Sequence, residues 1–326
     1  MSKTIIAKAH TNIALVKYWG KKDSQLMLPQ NGSISLTLDH FYTETSVKFE
    51  STLTQDQITF NGHRLTSTKA QRIIAFLDLI RQRSGETKHA IVETSNHVPT
   101  SAGLASSASG FAALAAAGSQ AAGLELSRSE LSRLARRGSG SATRSIFGGF
   151  VEWHAGHDDA SSFAEPLQDP VDWDIQMIAV VLQASKKPVS STAGMQRVVE
   201  TSPYYSAWVD TANQDLVAMR QAIANKDLTQ VGALAETNAM RMHALNLSAK
   251  PAFNYFTADT LTAINTVQNL RAHGINCYYT LDAGPNVKII CASTDTAVIT
   301  TALQRHFAAD QLIIAKPGPG ISITEA

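Results

Sequence analysis

The sequence predicts a two-domain α+β protein. Three observations carry that expectation. The chain has 326 residues, more than one compact core usually holds. Its first half is rich in short stretches that alternate with period two, as half-buried strands do. Its second half changes texture: long Ala-, Leu- and Gln-rich helical periods alternate with a few strands suited to antiparallel pairing. A cationic, hydroxyl-rich loop at residues 186–195 lies near the change, giving expected domains of residues 1–185 and 186–326.

The elements follow from local pattern. Thr4–Ala9 is a short alternating strand, and Asn12–Lys22 continues it as an apolar body ending in Lys17, Tyr18, Lys21 and Lys22. Gly32–Asp39 and Glu44–Glu50 read as antiparallel strands, and Ile58–Leu65 as a hairpin around Asn61-Gly62. Lys69–Arg83 is a helix with Ile73, Ile74, Leu77 and Ile80 on one face. Ala90–Thr94 is a strand, and Phe111–Ala117 begins an alanine-rich helix. Ser127-Arg-Ser-Glu130 is a capping box that opens a basic helix ending near Arg137. A loop with a connecting strand is expected over His154–Asp174, then a buried strand over Ile175–Leu182. Helices are expected over Pro203–Ala224, Leu228–Leu245, Thr257–His273 and Thr294–Phe307. Strands are expected at Cys277–Leu281 and Asn286–Cys291, and a final strand at Gln311–Lys316 before a rigid turn at Lys316–Gly320.

Bulk composition narrows the function. Hydrophobic residues make up 44% and charged residues 17%, as in a soluble globular enzyme. A net charge of +1 gives no global field to draw nucleic acid or an anionic membrane. No apolar run approaches the ~18 residues of a membrane span. The start, Met1–Ala7, has no apolar signal core, so the cytoplasm is the expected location. Cys277 and Cys291 make neither a disulfide framework nor a zinc site. The ten histidines are scattered and suggest no metal site; His10 reads as a structural hydrogen bonder.

Three loops carry candidate chemistry. Pro99–Gly110 is made of small residues and lies between a strand and a helix start. Such a place offers unpaired N–H groups and partial positive charge to an anion, most often a phosphate; a capped core helix has the same pattern. Gly138–Trp153 holds Ser139, Ser141 and Arg144, a set suited to an oxyanion with several acceptors, or to a turn with a surface arginine. Lys186–Met195 is the third. The lysines beside Tyr18 and Trp19 suit a phosphorylated ligand or an amphipathic strand with snorkelling side chains. Asp282, before Gly284-Pro285, is either turn chemistry or a carboxylate aimed into a cleft. P-loop, protein-kinase, His-Glu-x-x-His, dinucleotide-binding and Gly-x-Ser-x-Gly motifs are absent.

Taken together, these stretches resemble a known family. Pro99-x-x-x-Gly-Leu-x-Ser-Ser-Ala108 is similar to the phosphate loop of the GHMP kinase superfamily, with Ala105 where its common form has Gly. Asn12–Lys21, Ser139–Arg144 with Gly148–Trp153, and Asp282–Asn286 make the resemblance specific to diphosphomevalonate decarboxylases, over about Ala7–Gly320. The resemblance implies an α+β two-domain GHMP kinase fold: a ribosomal protein S5 domain 2-like N-terminal domain, a ferredoxin-like C-terminal domain and an active-site cleft between them. It implies ATP and Mg²⁺ as cofactors, mevalonate 5-diphosphate as substrate, and a homodimer.

The resemblance also implies roles. Ser101, Gly103, Leu104, Ala105, Ser106 and Ser107 would wrap the ATP phosphates, with Ser106 or Ser107 near the metal. Thr94 and Asn96 would lie at the nucleoside, and Lys187 would reach the γ-phosphate. Tyr18, Lys21, Lys22, Ser139, Ser141, Arg144 and Ser191 would hold substrate, Arg144 at its carboxylate. Asp282 would orient or deprotonate the 3-hydroxyl. Thr192 departs from members with Arg there, which shifts weight at the diphosphate to Lys21 and the serines. A mevalonate 3-kinase, a decarboxylase acting on the monophosphate and a non-catalytic ligand sensor are the alternatives; both Asp282 and Lys187 count against the first.

Overall fold

A computed structural model describes residues 3–66, 68–97, 106–182 and 189–326. In the first half come β1 (Ile5–Val16), β2 (Lys21–Asp23), β3 (Leu28–Pro29), β4 (Ser33–Glu50), β5 (Gln57–Phe60), β6 (His63–Arg64), α1 (Thr68–Ser84), β7 (His89–His97), α2 (Ser106–Ala121) and α3 (Arg128–Gly138). A 3-10 segment (Gly140–Ile146), β8 (Phe150–Trp153) and β9 (Ala164–Gln168) follow. Then come β10 (Gln176–Val180), α4 (Ser191–Thr201), α5 (Tyr205–Ala224), α6 (Leu228–Ser248), α7 (Ala258–Ala272), β11 (Tyr278–Leu281), β12 (Val287–Cys291), α8 (Thr296–Leu303), β13 (Leu312–Ala315) and β14 (Ser322–Glu325).

Among the described residues the strands form two main sheets and a small β2–β3 ribbon. The larger sheet runs β14-β1-β4-β7-β5-β6, with β8 on β4 and β9 on β8. The smaller is antiparallel, in the order β11-β12-β10-β13. Sheet membership therefore changes between β9 and β10, and β14 returns to the first sheet beside β1.

Alanine sets the first layer. Ala112, Ala113, Ala115, Ala116 and Ala117 are all buried on α2, and their small side chains bring the helix close to β1 and β4. On the other side α6 packs against both β1 and β11, so one helix spans the junction of the two sheets. A single apolar cluster joins Ile13, Leu15, Ile34 and Leu36 of the first sheet to Met177, Ala179, Tyr278 and Ile290 of the second. Each such aliphatic side chain contributes about 1.5–3 kcal/mol on full burial. The two sheets are thus held together by a shared core.

Several local expectations are realised. Asn61 and Gly62 both have positive φ, 49° and 77°, as a tight hairpin turn needs. Ser127 and Glu130 form the reciprocal capping box of α3. His10 Nδ1 lies 3.0 Å from the Leu38 carbonyl oxygen. Four expectations differ. The two strands read at 32–39 and 44–50 are one strand, β4, because β1 runs beside it throughout and absorbs the break as a register shift between His10 and Asn12. The Gly/Ser stretch after α3 is a 3-10 helix rather than an open loop. Ser191 already lies in the first turn of α4, capped by the Ser190 side chain on the Ala193 N–H. The chain does not stop at the Lys316–Gly320 turn; its last strand pairs Ile5–Lys8 with Ser322–Glu325.

Candidate active site

The end of β1 delivers Lys17 into the junction between the sheets. Its ammonium donates to the Ala14 carbonyl at 2.6 Å and to Asp282 Oδ1 at 2.9 Å. Asp282 follows β11, and the other side of its carboxylate meets a second cation: Lys288 Nζ on β12 is 3.1 Å from Oδ2. Both lysines are almost wholly buried, 2% and 1% exposed, while Asp282 keeps 23% of its side chain accessible. Burial pushes the Asp282 carboxyl upward, but the two ammonium groups outweigh it and hold the group well below the usual carboxylate range. Burial likewise pulls Lys17 down to about 8, against the opposing pull of Asp282.

The neighbours of this trio are rigid. The Lys17 N–H donates to Asn238 Oδ1 at 2.8 Å, and Trp19 Nε1 to Asn246 Oδ1 at 3.1 Å, both on α6. Tyr205 OH donates to the Trp19 carbonyl at 2.9 Å. His243, also on α6, is buried with Phe256 at 4.6 Å between centroids; burial brings its imidazole down to about 3, so it is neutral.

Arg144 is the second centre of charge. The 3-10 helix buries it to 2% exposure, where its guanidinium meets neutral acceptors: Asn12 Oδ1 at 3.0 Å and 3.2 Å, Ser35 Oγ at 2.9 Å, and Ser33 Oγ. Asn12 is itself fixed through donation to the Ser141 carbonyl at 3.1 Å and Ser145 Oγ at 2.8 Å. Burial lowers the guanidinium to about 10, so it is charged at neutral pH. A buried guanidinium held by neutral partners is a strong anion site.

Between these centres lies a cavity of about 320 Å³. Lys17, Lys21, Arg72 and Arg144 line it against one carboxylate, Asp282, so it attracts a multiply charged anion. Three hydroxyls meet on one wall: Ser139 Oγ is 3.5 Å from both Ser107 Oγ and Ser141 Oγ. Ser106, Ser190, Ser191 and Thr192 extend the hydroxyl lining. Tyr18 closes one side, its ring edge-on to Trp153 at 4.8 Å. Gly140 makes this closure possible, since a Cβ there would stand 2.8 Å from the Tyr18 ring and 3.0 Å from that of Trp153.

The structure thus brings together Tyr18, Lys21, Ser106, Ser107, Ser139, Ser141, Arg144, Ser191 and Asp282 from the sequence-derived set. Lys22 is exposed and does not line the cavity. Thr94 and Asn96 lie on β7 outside it, in a hydroxyl–amide network: Thr45 Oγ1 is 3.1 Å from Thr94 Oγ1, and Thr43 Oγ1, bonded to Ser109 on α2 at 2.8 Å, donates to Asn96 at 3.0 Å. Ser101, Gly103, Leu104, Ala105 and Lys187 lie outside the described residues. Sequence reasoning did not single out Asn12, Arg72 or Lys288, and passed over Lys17 as one of several strand-end lysines. A lone lysine inside an apolar strand, as in Val287–Cys291, was the available signal for Lys288.

Comparison with known proteins sets both halves of the chain beside one family. Residues 9–164 match the diphosphomevalonate decarboxylase-like N-terminal domain, and residues 177–317 the mevalonate 5-diphosphate decarboxylase C-terminal domain. The diphosphomevalonate decarboxylase of Candida albicans is 36% identical over 92% of this chain and 87% of its own length. The chain belongs to the diphosphomevalonate decarboxylase family. The crystal structure of the Staphylococcus aureus mevalonate diphosphate decarboxylase is similar, with a TM-score of 0.96 and 45% identity over 99% of this chain and 98% of that one. A structure described as MDDEF in complex with MVAPP, AMPPCP and magnesium has a TM-score of 0.95 and 47% identity over 99% of both chains. The GHMP kinase fold expected from the sequence is the fold of this decarboxylase family, and the chain has it throughout.

Proposed function

We propose that this chain decarboxylates mevalonate 5-diphosphate at the expense of ATP, giving isopentenyl diphosphate, ADP, phosphate and carbon dioxide, and that Asp282 and its two lysines direct the reaction. The observation that carries this reading is one carboxylate between two buried ammonium groups, facing a cationic, hydroxyl-lined cavity. The substrate is a β-hydroxy acid with a tertiary 3-hydroxyl. Its 3-oxygen attacks the γ-phosphorus of ATP, the bond to ADP breaks, and the hydroxyl proton passes late in the transfer to solvent water. The C3–O bond then breaks with its electron pair leaving on phosphate. The C1–C2 pair becomes the C2–C3 double bond as carbon dioxide departs.

Each residue has a task in that sequence. A carboxylate held well below its ordinary range is a poor base for an alcohol, and a loose phosphoryl transfer needs little early deprotonation. Asp282 therefore orients the 3-hydroxyl and stabilises positive charge developing at C3. Arg144 grips the substrate carboxylate with its planar fork. Lys21, Arg72, Ser139 and Ser141 hold the diphosphate, with Tyr18 and Ser191 shaping its seat. Ser101–Ser107 and Lys187 take the ATP phosphates, and Thr94 and Asn96 the nucleoside. Among the described residues no group of three or more His, Cys, Asp or Glu could hold a metal. The Ser106 hydroxyl, which lines the cavity, would help hold a magnesium ion brought with ATP, and that ion would supply neutralisation of phosphate charge.

Product analysis tests the reading. Mevalonate 5-diphosphate with ATP should yield carbon dioxide and an alkene at one equivalent per ADP, and the 5-monophosphate should react far more slowly. A phosphorylated product with no carbon dioxide would make the chain a 3-kinase instead. The same family relationship supports a cytoplasmic homodimer; light scattering should give twice the 35.0 kDa chain mass.

A further inference from the structure

Lys288 is the charged residue of β12, Val-Lys-Ile-Ile-Cys, an otherwise apolar strand in the middle of the second sheet. It is 1% exposed and is not part of the cavity wall, so it does not serve as a direct ligand to substrate. Its ammonium has two oxygen neighbours: Asp282 Oδ2 at 3.1 Å and the Asn286 carbonyl at 3.4 Å. A buried ammonium is costly unless it is matched, and here the match is the carboxylate at the centre of the site. Lys17 holds the other oxygen, but Lys17 also lines the cavity and is available to an incoming anion.

We propose that Lys288 is a positioning residue for the reaction: it pins Oδ2 of Asp282 from behind, keeping the carboxylate ionised and in one orientation while Lys17 engages substrate. Among the described residues the groups facing this carboxylate are few. Lys17 comes from β1, Lys288 from β12, neutral His243 from α6, and Arg144 adds a more distant positive charge from the 3-10 helix. With Lys288 neutralised, less positive charge faces Asp282, so its proton affinity rises. Lys17 is then relieved of a like charge, so its own proton affinity rises too. The alkaline limb of the pH profile, which Lys17 sets, must therefore move to higher pH.

The inference rests on the reaction proposed above, and the two fail separately. In the Lys288→Met enzyme, kcat should fall about tenfold to a hundredfold with little change in either KM. The alkaline limb of kcat/KM, set by Lys17 at about pH 8, should move to higher pH. Asp282→Asn/Lys288→Met should be no slower than Asp282→Asn alone, because Lys288 acts through Asp282. An unchanged kcat and alkaline limb in folded Lys288→Met, or a fully additive double variant, would overturn the role of Lys288 and leave the reaction standing. Absence of carbon dioxide from the wild type would overturn the reaction itself. If Lys288→Met does not fold, ¹⁵N-lysine NMR decides with folded proteins: the Lys288 ammonium resonance should shift between wild type and Asp282→Asn. An unmoved resonance contradicts the contact.

Discussion

Asp282 draws its partners from opposite ends of the chain, Lys17 lying 265 residues away and Lys288 just beyond the following turn. The Asp-Ala-Gly-Pro motif made the carboxylate visible in the sequence, and Ser139–Arg144 made the anion grip visible. The lysine pair was less visible: Lys17, at the end of an apolar strand, reads as a snorkelling side chain, Lys288 left only the signal of a lone lysine inside an apolar strand, and only the fold shows what either ammonium meets. Lys17 gives a direct test. It loses its proton as pH rises through about 8, so kcat/KM should fall above that pH if the ammonium is the working form. Lys17→Arg should carry the limb beyond the accessible range; a rate that instead climbs through pH 8 would mean that the free amine acts. Arg144→Lys tests the grip, since an ammonium cannot reproduce the fork that Asn12, Ser33 and Ser35 hold in place. It should lower kcat/KM for mevalonate 5-diphosphate by about a hundredfold, comparable to losing one preorganised donor, while KM for ATP changes little.

At the scale of elements, the site depends on short irregular pieces set against regular ones. The 3-10 helix places Ser141 and Arg144 three residues apart on the cavity side, and α4 begins where an open loop was expected. Both are runs of Gly, Ser, Ala and Thr, whose local pattern fits a turn as well as a helix start, so tertiary contacts decide the outcome. The hairpin at Asn61-Gly62 and the capping box at Ser127 were legible because each is specified within four residues. β14 was missed for the opposite reason: Ser-Ile-Thr-Glu is short and exposed, and its pairing partner is at the other end of the chain. Gly140→Ala tests the 3-10 segment. The added methyl meets Tyr18 and Trp153, so the denaturation midpoint should drop by the equivalent of about 1–3 kcal/mol and KM for the substrate should rise. Unchanged stability and KM would show that Tyr18 does not wall the substrate site.

The whole molecule reads as two domains from sequence, and its strands form two main sheets, with the change of sheet falling between β9 and β10. The shared apolar cluster, α6 lying on both β1 and β11, and the return of β14 to β1 bind the halves into one unit. Sequence texture reports where secondary structure changes, and it carries no record of a core assembled across that change. Unfolding should therefore be a single cooperative transition, with Trp fluorescence and far-ultraviolet circular dichroism coincident in denaturant. Two resolved transitions would mean that the sheets are independently stable. The same union explains how a lysine from the first half and an aspartate and lysine from the second meet in one charge triad.

The decisive measurement is carbon dioxide release from mevalonate 5-diphosphate and ATP by the wild type beside Asp282→Asn, each with ligand binding measured on the same preparation. The expected result is stoichiometric release by the wild type, and an Asp282→Asn protein that folds and binds both ligands yet turns over several orders of magnitude more slowly, about 10³-fold or more. An Asp282→Asn protein that releases carbon dioxide at a near-normal rate would contradict the central role given to this carboxylate.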